Sequence, residues 1–364
     1  MKQLLKEIGR NPLLWMLAFV PVVFVVQRLQ PESHTLLFIL SVLAIIPLAA
    51  LLSLATESVA ARTGDAVGGL LNATLGNLTE LVIALAALHA GQYMLVKASV
   101  AGTIVANTLF VLGASFLLGG LRHHLQEYNR VNARFQAGLL FLATVALLVP
   151  SAVAQADSGA AAAFTQKLSV ALAVLLLAAY GLGMLFSLKT HHELFAGAEH
   201  ADSGETLLPI GVALGTLAVV TVLVALVSEV FVESVQQAAL AFGMTPAFVG
   251  FVVVALVGGA AEMGSAFSGA RKNRLDLSVG IALGSASQIA LFVAPLLVLL
   301  SYVLGPTPMD LLFWPGAVMM MLIATMAAAL VTSSGRSTWF VGVFVLMVYL
   351  VFAMTLYLLP PRTA

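Results

Sequence analysis

The chain has 364 residues, of which 61% are hydrophobic and 9% charged; soluble domains carry about 25% charged residues, so this is a polytopic membrane protein rather than a globular one with an anchor. Sixteen basic and sixteen acidic residues cancel, which leaves no electrostatic footprint for a nucleic-acid partner. Cysteine is absent, which excludes disulfides and thiolate metal sites.

A bilayer core of about 30 Å takes roughly 20 apolar residues per helix. That ruler marks eleven spans, at 12–29, 35–60, 67–89, 93–120, 133–154, 164–187, 207–232, 246–268, 275–304, 310–331 and 338–359. The segment Met1 to Arg10 is short and basic, and the apolar run after it resembles a signal-peptide core. No small-residue cleavage site follows, so it reads as a retained first helix. The second span carries Ala55-Thr56-Glu57 near one end. The third contains a polar knot, Gly76-Asn77-Leu78-Thr79-Glu80, with Asn72 one turn before it. The fourth carries Ser99, Thr103 and Asn107 at spacings of four, on one helical face. A polar linker, with Glu193, Glu199, Asp202 and Glu205, follows the sixth span; it lacks the spacing of a twelve-residue EF-hand loop. Glu229 and Glu233 lie near the end of the seventh span. The eighth contains Gly258-Gly259-Ala260-Ala261-Glu262, and the ninth carries Ser278, Ser285 and Gln288. His89, His123 and His124 sit at span ends or in loops with no ligand spacing. Gly211/Gly215 and Gly280/Gly284 match a small-residue helix-packing pattern.

Glu262 lies 182 positions after Glu80, and the same offset lays Gly284-Ser285 on Gly102-Thr103 and Leu291-Phe292-Val293 on Leu109-Phe110-Val111. The two knots are five spans apart, an odd number, so the copies cross the membrane in opposite directions. Inverted repeats with glycine-interrupted helices at matched places point to a secondary transporter's binding site. The expected fold is an all-α polytopic membrane protein of about eleven transmembrane helices. It comprises an extra N-terminal helix (1–34), a first five-helix repeat (35–187), a cytoplasmic acidic linker (188–206) and a second five-helix repeat (207–364). With the N-terminus inside, twelve of the sixteen basic residues face the cytoplasm and four the other side. The positive-inside rule selects that orientation, and eleven spans then put the C-terminus outside. The lack of a long hydrophilic N-terminal extension sets the expectation of a plasma or inner cell membrane.

An intramembrane Glu is costly, and two at matched places make a functional site the leading expectation. Dehydration and mutual repulsion favour protonating such a pair, and a divalent cation favours its ionised form. One site can therefore alternate between protons and a metal. Oxygen-only ligands suit a hard cation such as Ca²⁺, and Asn107 and Gln288 offer neutral amide oxygens. Gly76 and Gly258 can unwind their helices and free backbone carbonyls as ligands, with close helix packing as the competing account. Helix glue competes likewise for Ser99, Thr103 and Asn72. Glu57, Glu229 and Glu233 are candidate entrance carboxylates, with a solvated helix end as the alternative.

The stretch Leu70 to Leu81 resembles the first signature repeat of the Ca²⁺/H⁺ antiporters, the CAX branch of the cation/Ca²⁺ exchangers. Thr245 to Glu262, followed by Asp276 to Val293, resembles the second. The resemblance covers nearly the whole chain. It implies export of cytosolic Ca²⁺ driven by inward proton flow, with Glu80 and Glu262 carrying both metal and protons and Asn77, Asn107, Ser285 and Gln288 in support. Where the family usually reads Gly-Asn-Ala-Ala-Glu-His, this chain has Gly258-Gly259-Ala260-Ala261-Glu262-Met263, and Ala255 stands where the family has proline.

The reading is thus a proton-driven Ca²⁺ antiporter and not an enzyme. Ca²⁺ and H⁺ are its cargo, the bilayer is its solvent, and no resident cofactor is expected. Homo-oligomerisation is left open. The rivals are the same scaffold moving Na⁺, K⁺ or Mn²⁺, a passive channel, and an intramembrane enzyme. No span holds a nucleophile–base pair or a His-rich metal motif for the last of these.

Overall fold

The computed structural model describes residues 4, 8–9, 11–63, 65–156, 161–195 and 207–358. Most of the acidic linker, including Glu199, Asp202 and Glu205, lies outside them.

Ten described helices are long and apolar enough to cross a membrane: Pro12–Leu29, His34–Ala60, Val67–His89, Tyr93–His123, Arg130–Ala152, Phe164–Thr190, Ile210–Ala241, Leu275–Leu304, Pro315–Thr332 and Trp339–Leu358. An eleventh span is the pair Pro246–Gly258 and Ala260–Arg271, bent by 60°. All eleven expected spans are present. The seventh runs to Ala241, well past residue 232, because Val230, Phe231, Val232 and Val235 remain buried against neighbours. It packs along the length of the second span, with Phe38 stacked on Phe231 at 5.4 Å.

The loops sort into two ends. At one, Leu125–Glu127 pairs antiparallel with Arg336–Thr338, a small strand pair that helical periodicity could not reveal. Beside it, Gln126 donates to the Ala270 carbonyl (3.0 Å), and Arg62 donates to the Leu208 carbonyl (3.1 Å). At the other, Lys97 pairs with Asp310 (2.6 Å), Tyr93 donates to the Thr307 carbonyl (2.6 Å) and Gln92 to that of Val232 (2.9 Å). Each end gathers alternate loops, as eleven crossings require. Consecutive spans therefore reverse, and the two knots run in opposite directions.

Both knots interrupt their helices. Gly and Asn are poor helix formers, and helix Asp65–Leu75 stops before Gly76-Asn77, with Leu78–His89 resuming after them. In the eighth span helix Ala255–Gly258 stops at Gly259 and Ala260–Arg271 resumes. Two spans beside the knots carry wide π-type turns at Ala106–Val111 and Ile289–Val293, a distortion frequent at functional sites. The small-residue pattern at Gly211, Gly215 and Gly284 does not mark helix contacts, because nothing lies within 4 Å of where a Cβ would sit.

Candidate functional site

The two breaks put a carboxylate in the first turn of each resumed helix, Glu80 on Leu78–His89 and Glu262 on Ala260–Arg271. Both line one cavity of about 250 Å³, together with Ser53, Gly76, Thr79 and Gly258. The two carboxyl groups are close enough to feel each other's charge. Glu80 lies directly against the second break: a Cβ on Gly258 would be 3.1 Å from its Cγ, so glycine there makes room for the opposite half's carboxylate. One oxygen of each acid, Glu80 Oε1 and Glu262 Oε2, is buried without a hydrogen-bond partner. A buried polar atom left unpaired is costly and asks for an occupant.

The supporting polar residues also converge. Asn107 Nδ2 donates to Ser285 Oγ at 2.8 Å, Ser285 Oγ donates to Asn77 Oδ1 at 2.8 Å, and Asn77 Nδ2 donates to Gln288 Oε1. This chain alternates between halves, with Asn77 and Asn107 from the first and Ser285 and Gln288 from the second. Ser285 and Asn107 are also within reach of Glu262. Among the described residues no group of three or more His, Asp or Glu forms; an ion held here has two carboxylates and must draw its remaining ligands from amides, hydroxyls, main chain or water.

Glu80 also lines a second cavity, of about 290 Å³, with Ser99, Thr103, Val254 and Ile289. Its lining residues lie toward the Lys97–Asp310 end of their spans, whereas Ser53, Gly76 and Glu262 lie toward the strand-pair end. Glu80 therefore stands between two hollows that point to opposite ends of the molecule.

The remaining candidates divide. Ser99 and Thr103 join the second cavity, although Ser99 bonds its own helix at the Val96 carbonyl (2.9 Å). Ser278 donates to the Ala266 carbonyl (2.6 Å) and serves helix packing. Glu57 accepts from Ser53 (3.0 Å), which lines the first cavity, so it stands one residue from the carboxylates. Asn72, Glu229 and Glu233 are exposed and line neither cavity. Sequence reading missed Ser53, although its place one turn before Glu57 was a usable signal, and Thr79, which is next to Glu80.

The family described as "Sodium/calcium exchanger protein" matches residues 33–189 and again 212–358. A "Ca(2+)/H(+) antiporter" from Aphanothece halophytica is 38% identical over 359 residues, covering 95% of this chain and 96% of that protein. The solved structure of native YfkE superimposes with a TM-score of 0.82 at 35% identity, covering 95% of this chain and all of that one. That of the H⁺/Ca²⁺ exchanger CAX reaches 0.68 at 15% identity over 94% of this chain and 91% of the other, a likeness of fold.

Proposed function

Since the chain belongs to the sodium/calcium exchanger protein family, and to its Ca²⁺/H⁺ antiporter branch, we propose that it exchanges Ca²⁺ for H⁺ across the membrane at the Glu80–Glu262 pair. The observation that carries this reading is the two unpartnered carboxylate oxygens in one cavity. Two carboxylates balance one divalent cation, and amide and hydroxyl oxygens suit its irregular shell. When the cation leaves, two bare negative charges in a dry site are costly, and protons relieve them. Metal and protons then compete for the same oxygens, and that competition couples the two flows.

Asn77, Asn107, Ser285 and Gln288 supply the neutral ligands once the cation breaks their mutual hydrogen bonds. Main-chain oxygens freed at Gly76 and Gly258 complete the set. Alternating access is supported by the two cavities meeting at Glu80, with Ser53 and Glu57 leading to one and Thr103 and Ser99 lining the other. The strand-pair end is cytoplasmic and the N-terminus is inside, from the Lys/Arg bias, and the membrane of the cell is the proposed location. Residues 35–187 and 207–364 act as the two moving halves.

The test is Glu80→Gln in inverted vesicles, where proton-driven Ca²⁺ uptake should vanish; undiminished uptake refutes the assignment. A second reading, another cation in exchange for protons, is favoured by Gly259. Its missing side chain would start 3.9 Å from the unpaired Glu80 oxygen, so glycine there brings no side-chain ligand to that oxygen. A panel of Ca²⁺, Mn²⁺, Na⁺ and K⁺ in proteoliposomes decides between them.

A further inference from the structure

Where the third span breaks, Ala73 loses the Asn77 amide that an unbroken helix would give its carbonyl. The last bond of the first segment is Gly76 N–H to Asn72 O (2.8 Å), and the next begins from Asn77 O with Leu81 N–H (3.0 Å). Tyr180, on the sixth span and 8% exposed, fills the gap: its hydroxyl donates to the Ala73 carbonyl at 2.7 Å. Its ring packs against Phe292 at 5.5 Å, in the π-type turn that directly follows Gln288. One side chain thus holds the main chain just before Asn77 and packs on a side chain of the turn that follows Gln288.

We infer that Tyr180 is a positioning residue for the ion site, its hydroxyl substituting for the amide missing at the first break and fixing where Asn77 and Glu80 sit. The second half supplies an internal control. Tyr349 packs against Phe110 at 5.3 Å, and Phe110 is the repeat mate of Phe292. Ala255, the mate of Ala73, keeps its ordinary helical partner, Gly259 N–H at 3.2 Å. The Tyr349 hydroxyl is buried without a partner. The same tyrosine–phenylalanine packing therefore occurs twice, and only in the first half does the hydroxyl hold the main chain at a break.

The inference deepens the Ca²⁺/H⁺ reading and rests on it for its transport arm only. In Tyr180→Phe, hydrogen–deuterium exchange of peptides spanning 72–82 should quicken while 84–89 stays protected. The half-saturating Ca²⁺ concentration should rise about fivefold, the size expected for one lost neutral hydrogen bond spent on pre-organisation, with maximal rate little changed. Replacing Tyr180 with 4-aminophenylalanine, which keeps a donor, should restore both readouts, and Tyr349→Phe should alter neither. Unchanged exchange at 72–82 overturns the inference. So does faster exchange with an unchanged half-saturation, or a Tyr180→Phe protein that does not fold, since either makes the tyrosine merely structural. A wild-type protein that moves no Ca²⁺ defeats the transport reading instead, and the exchange arm still decides the positioning.

Discussion

Ser285 is a single hydroxyl with two obligations, accepting from Asn107 and donating to Asn77. Its proton is committed to Asn77 and one lone pair to Asn107, which leaves a single lone pair for an ion, so the ion-free site is cross-linked by its own ligands. Ser285→Ala would leave an amide donor, Asn107 Nδ2, and an amide oxygen, Asn77 Oδ1, of the first half unpaired. The cost of such orphaned buried groups is about 1–3 kcal/mol. The ion-free protein should melt several degrees lower in detergent, and Ser285→Thr, which keeps the hydroxyl, should recover most of the loss. An unchanged melting temperature in Ser285→Ala would mean that the network does not hold the empty state together.

At the level of helices, the repeat is symmetric in sequence and asymmetric in packing. A Cβ on Gly102 would run into the main chain of Phe251, so the fourth and eighth spans meet there backbone to backbone. Its repeat mate Gly284 has nothing within 4 Å. Gly102→Ala should therefore destabilise by about 1–3 kcal/mol through overpacking, and Gly284→Ala should be neutral or slightly stabilising. Thermal unfolding of the two variants side by side checks this. The eleven spans, the knots and the pairing of Glu80 with Glu262 were legible because apolar length and an intramembrane charge are strong one-dimensional signals. The hydrogen bonds joining Asn77 to Ser285 and Gln288 were not, since they cross more than 200 positions of chain. Helical spacing put Ser278 in line with Ser285, yet it faces the Ala266 carbonyl instead, because spacing gives a face and not the neighbour on it. The role of Gly258 could not be read from its own helix, for the group it accommodates is Glu80 of the other half.

Taken whole, the two halves are tied at both ends, by Lys97–Asp310 at 2.6 Å and by Glu127–Arg336 at 2.9 Å, and most extensively along the second and seventh spans. Between those ties, Glu80 and Glu262 are the only ionisable side chains lining either described cavity. Their summed charge of minus two is cancelled equally by one Ca²⁺ or by two protons. On the proposed exchange the two loaded forms are electrically alike, and a turnover that trades one for the other should carry no current. An unbalanced charge would feel about 2.3 kcal/mol per 100 mV, whereas this cycle should be blind to voltage. A potassium diffusion potential imposed on proteoliposomes with valinomycin should leave the exchange rate unaltered, and a rate that follows the imposed voltage would require a third charge in the path.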